Sequence, residues 1–303
     1  MKYLKYYLII GLAFSLINPV HAIDSTAGTA GMQFLKIGVG ARQIAMGEAS
    51  CAAGLDANTI YQNPAGLTSA GSQVILSQNQ SFANIQEQTI AGSFQTKAGS
   101  FGASIQYLHM DSMTGYDVDA QGNPVKASDF TSYDMAVTLS YARVFGGIPI
   151  GINLKVLQEK LASYQANGAA LDIGMTDKLM ENLNFGFAVQ NIGPAVTFIS
   201  DTTPLPLNVK MGLAYNGLGN NLTVTADANK PIDDSLKACF GAEYRLNEVL
   251  SLRAGFNQKD GVDSWITAGI GMDISGWTLD YAYVPYGTLG DTHRISIGTR
   301  FGK

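Results

Sequence analysis

Residues 29–67 read TAGMQFLKIGVGARQIAMGEASCAAGLDANTIYQNPAGL, and the fold turns on what this stretch is not. It is rich in Gly and Ala, closes on Asn63-Pro64-Ala65-Gly66-Leu67, and never alternates apolar with polar residues as a half-buried strand does. From Gly71 onward almost everything alternates. Segments of about ten residues with period two follow one another, the length a tilted membrane-crossing strand needs. About fourteen can be counted, an even number, as bacterial outer-membrane barrels require. Their centres fall near Leu76, Gly92, Ile105, Val137, Ile152, Ile173, Phe187, Met211, Val224, Phe240, Ala254, Ile270, Tyr281 and Ile297.

The two faces of these segments differ in kind. Leu207, Val209, Met211, Leu213 and Tyr215 share one face, opposite Asn208, Lys210, Gly212 and Ala214. Ile295, Ile297, Thr299 and Phe301 oppose Arg294, Ser296, Gly298 and Arg300. The polar face is Gly-rich and carries charges of both signs, among them Asp172, Asp227, Asp273 and Asp280. A soluble sandwich would turn its apolar face inward; a crowded, hydrated lumen with lipid outside fits this polar face better. The expected fold is therefore all-β: a transmembrane antiparallel barrel of about 14 strands, with the N-terminal stretch as a plug in its lumen.

Connection lengths supply an independent reading. The connections at 97–99, 146–147, 178–181, 216–220, 246–248 and 275–276 are tight, with turn chemistry. Those at 81–87, 112–130, 160–167, 193–204, 229–234, 259–263 and 284–291 are longer. Strict alternation of short periplasmic turns with longer extracellular loops places both chain ends on the periplasmic side. The expected division is a signal peptide over 1–22, a plug segment over 23–70 and a barrel over 71–303. Lys2 and Lys5 precede an apolar run too short to span a bilayer, and Val20-His21-Ala22 suits cleavage. Export to the bacterial outer membrane, with its lipid as the surrounding partner, follows from that reading.

Composition excludes several function classes. Charged residues make up 14% of the chain, low for a soluble domain. Loss of Lys2 and Lys5 takes the 19 basic residues to 17 against 24 acidic, a formal charge of −7, which argues against nucleic acid. His109 and His293 fall at strand ends on the outward parity, while Ser251 and Ser296 have the opposite one, so no catalytic constellation assembles and the chain does not read as an enzyme. No cofactor is implied: Gly38-Val39-Gly40 lacks a third Gly, a preceding strand and a following acid. Asp117-Val118-Asp119-Ala120-Gln121-Gly122 resembles the start of a calcium loop, but Ser128 stands where a bidentate Glu is needed, and a polar hairpin turn is the better reading. Cys51 and Cys239 read as two small buried residues rather than a disulfide.

Gly40-Ala41-Arg42, Ala45-Met46-Gly47-Glu48-Ala49 and Asn63-Pro64-Ala65-Gly66-Leu67 resemble the N-terminal region of the PorV/PorQ family of outer-membrane proteins. More distantly they resemble the plug of FadL-type long-chain fatty-acid transporters, which carries a similar Asn-Pro-Ala. The resemblance covers the mature chain in layout: plug, strands, and a final strand of the His293-Arg294-Ile295-Ser296-Ile297-Gly298 kind. It implies a type IX secretion component that handles exported proteins together with the secretion machinery, or alternatively a channel for fatty acids or other hydrophobic small molecules. The motif residues Gly40, Arg42, Met46, Gly47, Asn63, Pro64, Ala65 and Gly66 are expected to be structural. Arg42, the only charge between Lys36 and Glu48, is expected to pair with a lumen acid such as Asp273 or Asp280.

Overall fold

The computed structural model describes residues 26–258 and 266–302. The leader expected at 1–22 and the loop expected at 259–263 lie outside those residues. The strands in chain order are β1 (Gln73–Gln80), β2 (Ile85–Thr96), β3 (Gly99–Met110), β4 (Tyr116–Val118), β5 (Pro124–Lys126), β6 (Ser132–Phe145), β7 (Ile148–Leu161), β8 (Tyr164–Met180) and β9 (Leu183–Ile192). They continue as β10 (Val196–Phe198), β11 (Asp201–Thr203), β12 (Asn208–Gly217), β13 (Leu222–Pro231), β14 (Lys237–Arg245), β15 (Leu250–Asn257), β16 (Ile266–Ile274), β17 (Trp277–Pro285) and β18 (Asp291–Arg300).

Fourteen of them form one closed antiparallel barrel, in the order β1-β18-β17-β16-β15-β14-β13-β12-β9-β8-β7-β6-β3-β2. Each of the fourteen expected segment centres falls in a different barrel strand. The remaining strands make two hairpins, β4–β5 and β10–β11, inside long connections on one end of the barrel. Closure runs through β1, which pairs with β2 on one side and β18 on the other, Gln73 to Arg300 and Gln80 to His293. A closed sheet leaves no unpaired edge to face lipid.

The barrel is inside-out by the standards of a soluble protein. Along β7, Leu154 and Val156 point outward at 59% and 67% exposure, while Asn153 and Lys155 point inward and are buried. The same inversion repeats around the wall: Glu243, Arg253, Asp280, Arg294 and Ser296 are buried, and Phe240, Leu252, Leu279, Ile295 and Ile297 are exposed. Hydrocarbon outside and hydrogen-bonding partners inside make this arrangement favourable; water outside would not. Aromatic pairs mark both ends of the outward face. Phe101 meets Tyr141 at 5.1 Å and Phe94 meets Phe301 at 5.3 Å toward the tight-turn end. Tyr107 meets Tyr133 and His109, and Tyr281 and Tyr283 meet His293, toward the loop end. Rings with one polar edge suit the two membrane interfaces.

One expected loop is a tight turn. Residues 160–167 were expected to form a longer connection, yet β7 and β8 run on together and only Ala162 and Ser163 join them. Gln165 and Asn167 are polar and exposed because the strand has climbed beyond the apolar band, where the ladder continues and the alternation of hydropathy stops. At 117–122 the hairpin turn is present: Asp119 accepts backbone hydrogen bonds from Gln121 and Asn123 at 2.9 and 2.8 Å.

Candidate functional site: the plugged lumen

The lumen is filled by the stretch that failed to alternate. It holds two short helices, α1 (Ala41–Ala45) and α2 (Leu67–Ala70), and 3-10 turns at Gln33–Lys36, Ala57–Tyr61 and Pro64–Gly66. Its helices stop early because the chain must double back within the barrel's width. Gly47 shows why: φ is +64°, and an added Cβ would meet the backbone carbonyls of Phe240 and Phe256. No side chain fits there, so the plug's backbone touches the wall.

The wall is cut to match. Gly151, Gly174, Gly186, Gly241, Gly255 and Gly269 sit on different strands, and a Cβ on any of them would strike plug atoms. At Gly174 and Gly151 those atoms belong to Asn63, Pro64 and Ala65. Asn63 has no exposed surface and satisfies its amide completely at this seat. Nδ2 donates to the Cys51 carbonyl at 2.8 Å and to the Met175 carbonyl of β8 at 2.9 Å, and Oδ1 accepts from Ala65 N–H at 3.1 Å. Pro64 then opens the next 3-10 turn, a position that needs no N–H. The Asn-Pro-Ala-Gly sequence is thus a fastener between two plug turns and the wall.

Further bonds pin the plug strand by strand. Cys51 N–H donates to Asp227 at 2.8 Å, Ala41 N–H to Ser296 Oγ at 2.8 Å, and Asn153 Nδ2 to the Ile60 carbonyl at 2.8 Å. Arg294 donates to the Gly38 carbonyl. Met46 is fully buried against the β14 wall, where its carbonyl and Cβ crowd Gly241. Gly40 starts α1, and Gly66 packs on Thr59. All eight motif residues therefore lie in the plug, at its contacts with the wall or at its own turns. No disulfide joins Cys51 and Cys239; Cys239 instead lies against Asn229 and Asn257.

Arg42 does pair with a lumen acid, but not one of the two expected. Nε and NH2 grip both oxygens of Glu243 on β14 at 2.8 and 2.7 Å. Arg253 on β15 shares Glu243 at 2.7 Å and reaches Asp280 on β17 at 2.7 Å. Asp280 is thus one link further along the chain of charges, and Asp273 pairs with Arg300 instead. Glu243, Asp273 and Asp280 all have inward parity, so sequence could name the set but not the height at which Arg42 meets it.

Above and below the plug the lumen is open. On the tight-turn side a cavity of about 510 Å³ is lined by Arg42, Glu243, Arg253, Asp280, Arg245 and Glu248. On the loop side a cavity of about 320 Å³ is lined by amides and charges, including Gln62, Gln190, Asn208, Lys210 and Arg294. Beside it lies an apolar compartment that sequence reasoning missed. Met32 and Phe34 of the N-terminal strap are buried against Ala136, Leu157, Ala166, Ala170, Val196 and Leu205, with Leu35, Ile37, Leu108 and Phe198 around them. Ala136, Leu157, Ala166 and Ala170 occupy inward positions on three neighbouring strands, a local run of apolar residues on the face that carries the barrel's buried charges, and this was the signal the sequence carried.

The strap is clamped at the rim. Asp233, in the loop after β13, accepts from Gln33 Nε2 at 2.8 Å, Lys36 Nζ at 3.1 Å and Ala30 N–H at 3.3 Å. Burial pushes this carboxyl up, but the bonds from Gln33, Lys36 and Ala30 outweigh it and hold it below the ordinary carboxylate range.

The chain is a fourteen-strand closed antiparallel barrel whose lumen is filled by residues that precede its first strand. Solved structures with this fold include the Pseudomonas putida toluene transporter TodX, 15% identical, with a TM-score of 0.61 over 86% of this chain and 96% of that one. The monoaromatic hydrocarbon channel CymD is 13% identical with a TM-score of 0.59, over 88% and 98% of the two chains. A Pseudomonas aeruginosa FadL homologue is 11% identical with a TM-score of 0.55, over 93% and 99%. At these identities the likeness is one of fold. No protein-family model and no curated protein matches the sequence.

Proposed function

We propose that the protein is a plugged outer-membrane channel of FadL-like layout that admits small hydrophobic molecules. The observation that carries this reading is the apolar compartment in the loop half of the lumen, the largest of the apolar clusters packed inside the barrel among the described residues. Its occupants, Met32 and Phe34, belong to a strap rather than to the wall, so their side chains stand where an apolar solute would bury its surface. Support also comes from the solved structures of the same fold, two of which are a toluene transporter and a monoaromatic hydrocarbon channel. On this reading the chain is exported through a cleaved leader at 1–22, residues 23–70 are the hatch, and 71–303 are the barrel. The motif residues from Gly40 to Gly66 act as its seat, and the protein is a conduit rather than an enzyme.

The test is uptake. Cells lacking the protein should take up labelled toluene and oleate more slowly than cells carrying it, and a Phe34→Ala variant should alter the rate. Identical uptake with and without the protein would end the proposal. The second reading, a type IX secretion component of the PorV/PorQ kind, rests on the plug motif alone. Loss of exported, C-terminally tagged proteins on deletion, with hydrocarbon uptake intact, would favour it instead.

A further inference from the structure

Where the barrel closes, three side chains line one small void: Asn79 on β1, Thr89 on β2 and Arg294 on β18. Each residue is 6% exposed or less. Asn79 Oδ1, Thr89 Oγ1 and Arg294 Nε are buried and have no hydrogen-bond partner among the described residues. The void measures about 10 Å³ and is bounded on the plug side by Val39, Gly40 and Ala41. Asn79 is the cross-strand neighbour of both Glu87 and Arg294, and Thr89 faces Ser77 on the same stretch of wall. A buried donor or acceptor without a partner has given up its hydration for nothing, so such atoms are normally met by protein or by ordered water.

Charge is not what is missing here. Arg294 has Glu87 at 4.0 Å, and Glu87 also accepts from Asn79 Nδ2 at 3.1 Å and Gln106 Nε2 at 2.7 Å. The bond to Glu87 fixes the Asn79 amide, because a flip would set Oδ1 against the carboxylate. The three unmet atoms differ in kind. Arg294 Nε–H only donates, Asn79 Oδ1 only accepts, and the Thr89 hydroxyl does both. A cation could not accept from Nε–H and would meet the guanidinium charge. An anion could not donate to Oδ1 and would meet Glu87. The occupant must accept one bond, donate another and carry no charge, and about 10 Å³ is about the space of one water molecule. Arg294 also lines the loop-side chamber, which gives water a way in.

We propose that this void is a structural water site, in which one water accepts from Arg294 Nε, donates to Asn79 Oδ1 and bonds Thr89 Oγ1. Arg294 already donates to the plug carbonyl of Gly38, and Asn79 already holds β2 through Glu87. The water completes a polar junction that joins β1, β2, β18 and the plug at the seam. The site is independent of what the channel admits.

A crystal structure of the detergent-solubilised full chain that resolves ordered waters tests it. Density for one water should lie about 2.7–3.2 Å from all three atoms. Thr89→Val removes the hydroxyl at nearly constant volume and should lose that density, whereas Thr89→Ser should retain it. The melting temperature of the folded band on unboiled gels should fall by a few degrees in Thr89→Val and by less in Thr89→Ser. The gel shift between boiled and unboiled protein confirms that each variant is folded. Four results would each overturn the site: no density between the three atoms, a direct bond from Arg294 Nε to Asn79 Oδ1 or Thr89 Oγ1, an ion in place of the water, or unchanged density in a folded Thr89→Val variant.

Discussion

Replacing Arg42 with Ala should unseat one lobe of the plug without unfolding the barrel. The side chain makes two charge-assisted hydrogen bonds to Glu243, and bonds to charged groups contribute about 1.5–3 kcal/mol each. Glu243 keeps Arg253 at 2.7 Å, so no carboxylate is stranded and the low end applies, about 3 kcal/mol for the pair. With about 1.4 kcal/mol per tenfold, the population in which residues 40–48 leave the wall should rise about 100-fold. The remaining ties, Ala41 to Ser296 and Thr267 to the Ala45 carbonyl, keep the lobe from being lost altogether. Permeation measured by swelling of proteoliposomes in small sugars should increase, and so should protease cleavage within 40–48. Glu243→Ala should be worse, because it strands the buried Arg42 and leaves Arg253 with Asp280 alone, at about 3–5 kcal/mol for a broken buried pair. Asp273→Ala should leave swelling unchanged, since its partner Arg300 lies at the exposed mouth. Unchanged swelling and cleavage in Arg42→Ala, or an Asp273→Ala variant as leaky as Glu243→Ala, would refute the reasoning.

Asn63→Ala should cost about 2–4 kcal/mol, because it leaves the buried carbonyls of Cys51 and Met175 each short of a donor; thermal melting of the folded band on unboiled gels measures it. Gly174→Ala places a Cβ on Asn63, so overpacking of about 1–3 kcal/mol should appear by the same melt, whereas Ala at the open turn position Gly146 should not loosen the plug. The strap clamp should be acid-labile. The Asp233 carboxyl is held below its free value, so the clamped state binds its proton less readily than the released one. The clamp's stabilisation is present above the ordinary Asp pKa of about 3.9 and is lost as pH falls through the lower, clamped value. Hydrogen exchange at the Ala30 amide should therefore accelerate, beyond its intrinsic pH dependence, only below about pH 4, and Asp233→Asn should show no such step.

The barrel was legible because its signal is repeated. Each strand carries a period of two, and errors in one do not spread to the next. Reading failed where polarity and structure part company. Gln165 and Asn167 are polar, and polarity suggested a loop, yet the backbone ladder of β7 and β8 continues above the apolar band. Parity identified Glu243, Asp273 and Asp280 as inward, but parity says nothing of height along the barrel or angle around it. The partner of Arg42 depends on both. The apolar compartment was harder still, because Met32 and Phe34 lie in an aperiodic stretch where no face can be assigned. Its wall was visible in principle: Leu157 is a large apolar residue at an inward position, against the polar neighbours Asn153 and Lys155.

The wall glycines have a consequence for how the chain comes together. The plug is made first, yet its partners Ser296 and Arg294 lie on β18, separated from Ala41 and Gly38 by 255 and 256 residues. The seam that closes the cylinder, β1 against β18, joins the segment just after the plug to the last strand made. A finished cylinder whose inner surface fits the plug's backbone offers little room to thread it afterwards. The bonds that hold Gly38 and Ala41 to the wall can therefore form only once the last strand is in place, the same strand whose pairing with β1 closes the seam.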